Sequence, residues 1–329
     1  MIPCSGPVRT TLALAIGAAS ALLAVAVNAQ PYPSKPVRII VPFAPGGASD
    51  LLPRMVGQKL TEAWGQQIIV DNRPGGAGNI GMGLGAKAPP DGYTLLSAPN
   101  GNLVVNPHMY SKLPYDVFRD LAPITLMAAV QNILVVHPSL PVKTVRDIVS
   151  LAKARPGALT YGSPGNGSQG HVGVELLKMM TGIDMTHVPY NGVGPAIREL
   201  LGGQTSLALG QTPAVLPHVQ SGRLRAVAAA SPKRLAILPD LPTIAESNLA
   251  GFEAVSWYAL MAPAHTPREI VARLSTEITR VVRLQDIRER LNSLGAEPVG
   301  GTPDELAATM RSESSRWTKV IKTAGIKAD

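Results

Sequence analysis

Val37-Arg38-Ile39-Ile40-Val41, then Pro42-Phe43-Ala44-Pro45-Gly46-Gly47-Ala48-Ser49-Asp50, then Leu52, Val56, Leu60 and Ala63: this stretch of the 329-residue chain decides the fold. Five residues rich in Val and Ile read as a buried strand. A Pro/Gly loop breaks it, and apolar residues at spacings of four, four and three then mark a helix. A second apolar run, Ile68-Ile69-Val70, follows at once. Beyond it come a small-residue helix starting near Ile80 and a strand at Thr94-Leu95-Leu96. Strand, crossover helix, strand is the signature of an α/β fold with a mainly parallel sheet.

The alternation restarts after Ile133–Val136. Helices are expected over Val145–Ala154, Val172–Met180 and Ile197–Leu201. Strands are expected at Leu159–Tyr161, Met185–Val188, Ser206–Leu209, Leu224–Ala229 and Val255–Met261. Two helices, Pro267–Arg283 and Pro303–Thr323, close the chain. Each half therefore contains a strand, a Gly/Ser loop and a helix, the second loop being Ser163-Pro164-Gly165-Asn166-Gly167-Ser168. Such loops leave the first helical N–H groups unpaired at the positive end of the helix dipole, and glycines with φ > 0 let a ligand approach the backbone. The bland alternative is an ordinary cap, in which Ser49, Asp50 or Ser168 bonds only its own helix. At the carboxyl ends of strands in two separate halves, the pair is expected to frame one anion-holding cleft.

Composition narrows the function. Hydrophobic residues make up 45% and charged residues only 16%, which excludes a disordered chain. Residues 1–29 read as an export signal: Arg9, an uncharged run from Thr11 to Val27, and Val27-Asn28-Ala29 as the cleavage pattern, placing the new N-terminus at Gln30. Cleavage removes one of 30 basic residues against 22 acidic ones, so the exported chain carries a net charge of +7. The lone cysteine, Cys4, goes with the signal, and thiol catalysis and cysteine metal sites go with it. Basic residues are dispersed and aromatics amount to 4%, so nucleic-acid binding is not expected.

Three motifs are set aside. Gly76-Ala77-Gly78-Asn79-Ile80-Gly81 fits G-x-G-x-x-G but stands off the preceding strand, and no acid follows at the required distance. The six histidines show no metal-ligand spacing, so neither metal nor cofactor is expected. Ser168 invites an exported serine esterase as the rival function, but Asn166 breaks the nucleophile-elbow pattern and His171 is only three residues away.

Several motifs together resemble the Bug/TctC-type receptors of tripartite tricarboxylate transporters. They are Pro42-Phe43-Ala44-Pro45-Gly46-Gly47 with Asp50, Asn72-Arg73-Pro74-Gly75, Pro90-Asp91-Gly92-Tyr93-Thr94-Leu95, Gly167-Ser168 with His171, Val188-Pro189-Tyr190 and Leu216-Pro217-His218. The resemblance implies a two-lobed periplasmic-binding-protein fold of type II-like form. Its two mainly parallel sheets would be joined by a hinge, with residues 30–131 and 255–329 in lobe 1 and 132–254 in lobe 2. It implies a periplasmic monomer that is not an enzyme, a small carboxylate ligand, and a membrane partner of one large and one small integral subunit. Carried over, the ligand-binding residues are Phe43, Ala44, Gly47, Ser49, Asp50 and Asn100 from the first lobe, and Gly167, Ser168, His171, Tyr190 and Gln211 from the second. The chain departs from the pattern at Gly210, where many of these receptors carry an aspartate. A ligand without a free amino group is the corresponding expectation, because Gln211 offers only a neutral carbonyl.

Overall fold

A computed structural model describes residues 1–2 and 32–327, and residues Lys35–Asp329 group into one compact unit. The expected export signal and the N-terminus at Gln30 lie outside the described residues. Two sheets organise the unit. The first has six strands in the order β11-β4-β10-β3-β1-β2: β1 Val37–Val41, β2 Ile68–Asn72, β3 Thr94–Pro99, β4 Leu121–Val130, β10 Ser256–Pro263 and β11 Ala296–Pro298. The second has five in the order β7-β6-β8-β5-β9: β5 Asn132–Val136, β6 Thr160–Ser163, β7 Thr186–Pro189, β8 Leu207–Gln211 and β9 Arg225–Ala229. The helices are α1 Ala48–Trp64, α2 Asn79–Ala86, α3 Val145–Ala154, α4 Gln169–Thr181, α5 Val193–Leu201, α6 Thr212–Gln220, α7 Arg268–Val282, α8 Gln285–Ser293 and α9 Pro303–Ala324, with short helical turns between them.

The sheets are mixed, not mainly parallel. Parallel pairs occur where a crossover helix returns the chain, as β1 with β2 and β3, and β6 with β7 and β8. Antiparallel pairs gather around the strands that carry the chain between sheets: β10 with β3 and β4, β11 with β4, and β5 with β8 and β9. Only Gln131 separates β4 in one sheet from β5 in the other, and the return runs through Ala254 and Val255 into β10. The two passages are tied side by side: Asn132 Nδ2 donates to the Ala254 carbonyl at 2.7 Å and to Ser256 Oγ at 3.0 Å.

Four elements escaped the sequence reading, among them α8 and β11; the other two have clear causes. β4 reads Leu-Ala-Pro-Ile-Thr-Leu-Met-Ala-Ala-Val, where Pro123 and the lack of alternation hide a strand packed on both faces. Helix α6 contains Pro213 near its start and Pro217 within it, two residues that argue against a helix on local grounds.

The cores explain the burial. In β5, Leu134 and Val136 enter one apolar cluster, with Tyr161, Leu177 and Phe252, while Ile133 and Val135 enter another, with Ile197, Leu200 and Val215. Over the first sheet, α9 places Leu306, Met310, Trp317 and Ile321 against Met82, Leu96 and Trp257. Trp317 is 1% exposed, and its Nε1 donates to Glu313 Oε2 at 3.1 Å. Trp317→Ala is expected to cost about 3–5 kcal/mol. Urea unfolding checks this, and a loss below about 1 kcal/mol would mean that α9 does not seal this core.

Candidate functional site

The carboxyl ends of β1, β3, β6 and β8 point to one place, joined there by the starts of the antiparallel strands β5 and β10. Between them lies a cleft of about 620 Å3, including the part open at its mouth. The loop after β1 contributes Phe43, Ala44, Gly47 and Ser49, and the loop after β3 contributes Asn100 to Asn102 and Asn106. From the second sheet come the loop after β6, Pro164 to Gly170, then Val193 at the start of α5, and Leu209 and Gln211 of β8. Asn132, Ser256 and Tyr258 form the floor, where the chain passes between the sheets.

Four helices begin at this cleft. The N-cap of α1 is Gly47 and that of α5 is Gly192, neither with a side-chain cap, and Gln211 is the N-cap of α6. Ser168 caps α4, its hydroxyl accepting from His171 N at 3.3 Å and donating to the Gly165 carbonyl at 2.7 Å. Positive φ occurs at Gly46, +99°, and at Gly165 and Gly167, +132° and +76°. Gly47 itself sits at φ −96°, so its value to the cleft is space, not conformation.

The two walls meet closely. Ala48 N donates to Gln211 Oε1 at 3.4 Å, joining the start of α1 to β8, and Gln211 Nε2 bonds Tyr258 Oη. A Cβ on Gly101 would stand 2.5 Å from the Gly167 carbonyl, and one on Gly167 would collide with Asn106 Oδ1. Backbone lies directly on backbone at this point, and only glycine permits it.

Of the residues singled out from sequence, Phe43, Ala44, Gly47, Ser49, Asn100, Gly167, Ser168 and Gln211 line the cleft; Asp50, His171 and Tyr190 stand behind its wall. Asp50 is 4% exposed. It accepts from Arg54 Nε at 2.9 Å, Asn72 Nδ2 at 3.0 Å and Gly46 N at 3.3 Å, which braces the turn before α1. Burial pushes its carboxyl up, but the hydrogen bonds from Arg54, Asn72 and Gly46 outweigh that and hold it below the usual value. His171 accepts from Gly167 N through Nδ1 at 3.1 Å, and its ring stacks on His187 at 4.0 Å between centroids. His187 Nε2 lies 2.7 Å from Ser163 Oγ. Both imidazoles thus support the loop after β6. Gly210 faces away from the cleft: a Cβ there would collide with Val215.

Sequence reasoning missed Asn102, Asn106, Asn132, Gln169, Ser256 and Tyr258. The clustered amides Asn100, Asn102 and Asn106 were the available signal, since buried amides in an apolar stretch need partners or a ligand.

This architecture, a cleft between two α/β sheets walled by helix starts, is that of a solute-binding protein. The chain belongs to the tripartite tricarboxylate transporter family receptors, whose family model matches residues 52–326. It is 37% identical over 251 residues to BugT of Bordetella pertussis, covering 76% of this chain and 77% of BugT. Among solved structures, R. palustris Rpa4515 with adipate is 40% identical with a TM-score of 0.87, covering 90% of this chain and 99% of that one. MatC from Rhodopseudomonas palustris with bound malate is 31% identical with a TM-score of 0.84, covering 88% and 100%. Family and neighbours are binding proteins.

The histidine pair makes stability depend on pH. Burial, assisted by Lys178, pulls His171 down to about 4, and burial with the neighbouring His171 pulls His187 to about 3. The unfolded chain takes up these protons near pH 6.5 while the folded chain refuses them, so stability is full above about 6.5 and falls as pH drops toward 4. Urea unfolding is expected to show a loss on the order of 1–2 kcal/mol between about pH 7 and about pH 5, smaller in His171→Gln. Equal stability at both pH values would contradict the neutral pair.

Proposed function

We propose that this receptor, exported to the periplasm, captures a small carboxylate in the cleft and delivers it to an integral membrane transporter made of a large and a small subunit. One observation carries the reading: the cleft has no Asp, Glu, Lys, Arg or His among its lining residues, yet the starts of four helices open onto it. The unpaired N–H groups at the starts of α1, α4 and α5, with the aligned peptide dipoles, favour an anion there, each helix contributing about 0.3–1 kcal/mol and up to about 2 in partly buried geometry. The neutral amides of Asn100 and Gln211 and the hydroxyls of Ser49 and Tyr258 add directional bonds. Such a site holds charge without a counter-ion and can release it again, as a receptor must. The adipate and malate bound by its structural neighbours support the same ligand class. Among the described residues no helix is long and apolar enough to cross a membrane, which suits a receptor that carries its ligand to a separate membrane partner.

Capture proceeds by closure. The passages at Gln131 and at Ala254–Val255 act as the hinge between a first lobe, residues 30–131 and 255–329, and a second, residues 132–254. The contacts of Gly101 with Gly167 and of Ala48 with Gln211 form as the lobes meet.

The esterase alternative lacks its base. The Ser168 hydroxyl is engaged by Gly165 O and His171 N, while His171 Nδ1 already accepts from Gly167 N and the ring is held in the stack with His187. No imidazole nitrogen is hydrogen-bonded to Ser168 Oγ, so binding without turnover is the reading the geometry favours.

Gly47→Val tests the site. Its φ is open to any residue and its Cβ would stand an ordinary 3.5 Å from Val193, so the variant folds, but the branched side chain fills the entrance to the α1 N–H groups. Calorimetry with adipate and malate is expected to show at least about a tenfold loss of affinity, with melting within a few degrees of the parent protein. Undiminished binding by a folded variant would place the ligand elsewhere.

A further inference from the structure

The cleft contains an acceptor that no carboxylate can satisfy, and its polarity is fixed by a chain of hydrogen bonds. The chain starts at the Ala77 carbonyl, which can only accept. Asn102 donates to it through Nδ2 at 3.0 Å, and the same Nδ2 donates to Asn79 Oδ1 at 3.2 Å. That identifies the Asn79 atom as oxygen. Asn106 must then present Nδ2 to it, at 2.8 Å, and Tyr115 Oη lies 3.0 Å from the same oxygen. The remaining end of the Asn106 amide is therefore Oδ1. It is buried, in a residue 1% exposed that lines the cleft, and it has no partner.

Asn106 Oδ1 lies against Gly167 of the opposite wall, and two residues along the same segment Gln169 also lines the cleft. Gln169 is 3% exposed, and both its Oε1 and its Nε2 are buried without a partner. Buried amide groups left unpaired are strongly destabilising, and three such atoms in one cleft imply an occupant that pairs with them. A carboxylate only accepts, so it can serve Gln169 Nε2 but not Asn106 Oδ1 or Gln169 Oε1.

We propose that Asn106 and Gln169 read a hydrogen-bond donor on the ligand, so that the receptor selects a hydroxycarboxylate over the same acid without the hydroxyl. The inference rests on the carboxylate reading above and specifies it. A hydroxyl supplies what the pair asks for: it donates to Asn106 Oδ1 and accepts from Gln169 Nε2. An ammonium would also donate, but it brings a positive charge to helix N-termini. The Asp50 carboxylate lies behind the wall with its oxygens engaged by Arg54, Asn72 and Gly46. The polarity chain also separates the two roles. Asn79 and Asn102 act as positioning residues that orient Asn106, whereas Asn106 and Gln169 touch the ligand.

Series differing only at one carbon test this by calorimetry: malate, succinate and aspartate; 2-hydroxyglutarate, glutarate and glutamate; lactate, propionate and alanine. In whichever series fits the cleft, the hydroxy acid is expected to bind at least about tenfold more tightly than the plain acid and more tightly than the amino acid. Gln169→Leu and Asn106→Leu should bring the ratio of hydroxy to plain acid toward one by weakening the hydroxy acid alone. Should Asn106→Leu fail to fold, Gln169→Leu and the wild-type ratio still decide. Equal or tighter binding of the plain acid overturns this proposal and leaves the carboxylate reading standing. Tighter binding of the amino acid also overturns it and makes the free acceptor an ammonium site. Failure of every acid in all three series, and of adipate as well, overturns both readings.

Discussion

Everything in the cleft depends on how closely two backbones approach at Gly101 and Gly167. A single methyl group on either would meet the opposite wall, at the Gly167 carbonyl in one case and at Asn106 in the other. With side chains there, the loops after β3 and β6 would stand apart and the helix starts of the two sheets would face water. With glycine, N–H groups from α1, α4 and α5 come to one enclosed space whose lining residues carry no ionised side chain. Attraction for an anion then comes from dipoles fixed by the fold, which need no reorganisation when the ligand arrives and no counter-ion when it leaves.

The same close approach imposes a second requirement. Groups pressed this near one another lose water, so each must have its hydrogen bonds assigned. The loop after β1 does this with Asp50, Arg54 and Asn72, and the loop after β6 with the stacked pair His171 and His187. Asn79, Asn102, Asn106 and Tyr115 do it for the loop after β3. Among the described residues lining the cleft, Asn106 Oδ1 and the Gln169 amide are buried without a partner. Residues that looked like ligand contacts, Asp50 and His171, are the braces, and the open groups are plain amides.

Much of this architecture was legible in the sequence, and what was not had physical reasons. Helix α3 was read to the residue, because Val145, Ile148 and Ala152 give a clear apolar stripe behind the Thr144–Asp147 capping box. The strand–loop–helix units at β1 and β6 were legible because glycine and serine mark the places where a helix must start near a strand end. The antiparallel β4 and the proline-bearing α6 were not legible. A strand buried on both faces carries no alternation, and tertiary contacts override proline in α6. The cleft lining was legible around the loops after β1 and β6, while Asn132, Ser256 and Tyr258 on the strands, and Asn106 and Gln169 at helix starts, were not. Gln169 is the first residue of α4 and Asn106 opens a short helical turn, and nothing local tells that each faces the other's wall. Gly210 and Gln211 take different places because neighbours along a strand point to opposite faces: Gly210 packs on Val215 while Gln211 turns to the cleft.

The central claim is that backbone amides from both sheets hold one anion together. Titrating isotope-labelled protein with malate and following each backbone amide by NMR tests it most directly. The account predicts that the amides of Ala48, Ser49, Gln169 and Val193 move together, with one affinity and one ligand per chain. Shifts confined to one sheet, or centred on the groove behind the passages near Lys233 and Arg234, would contradict it.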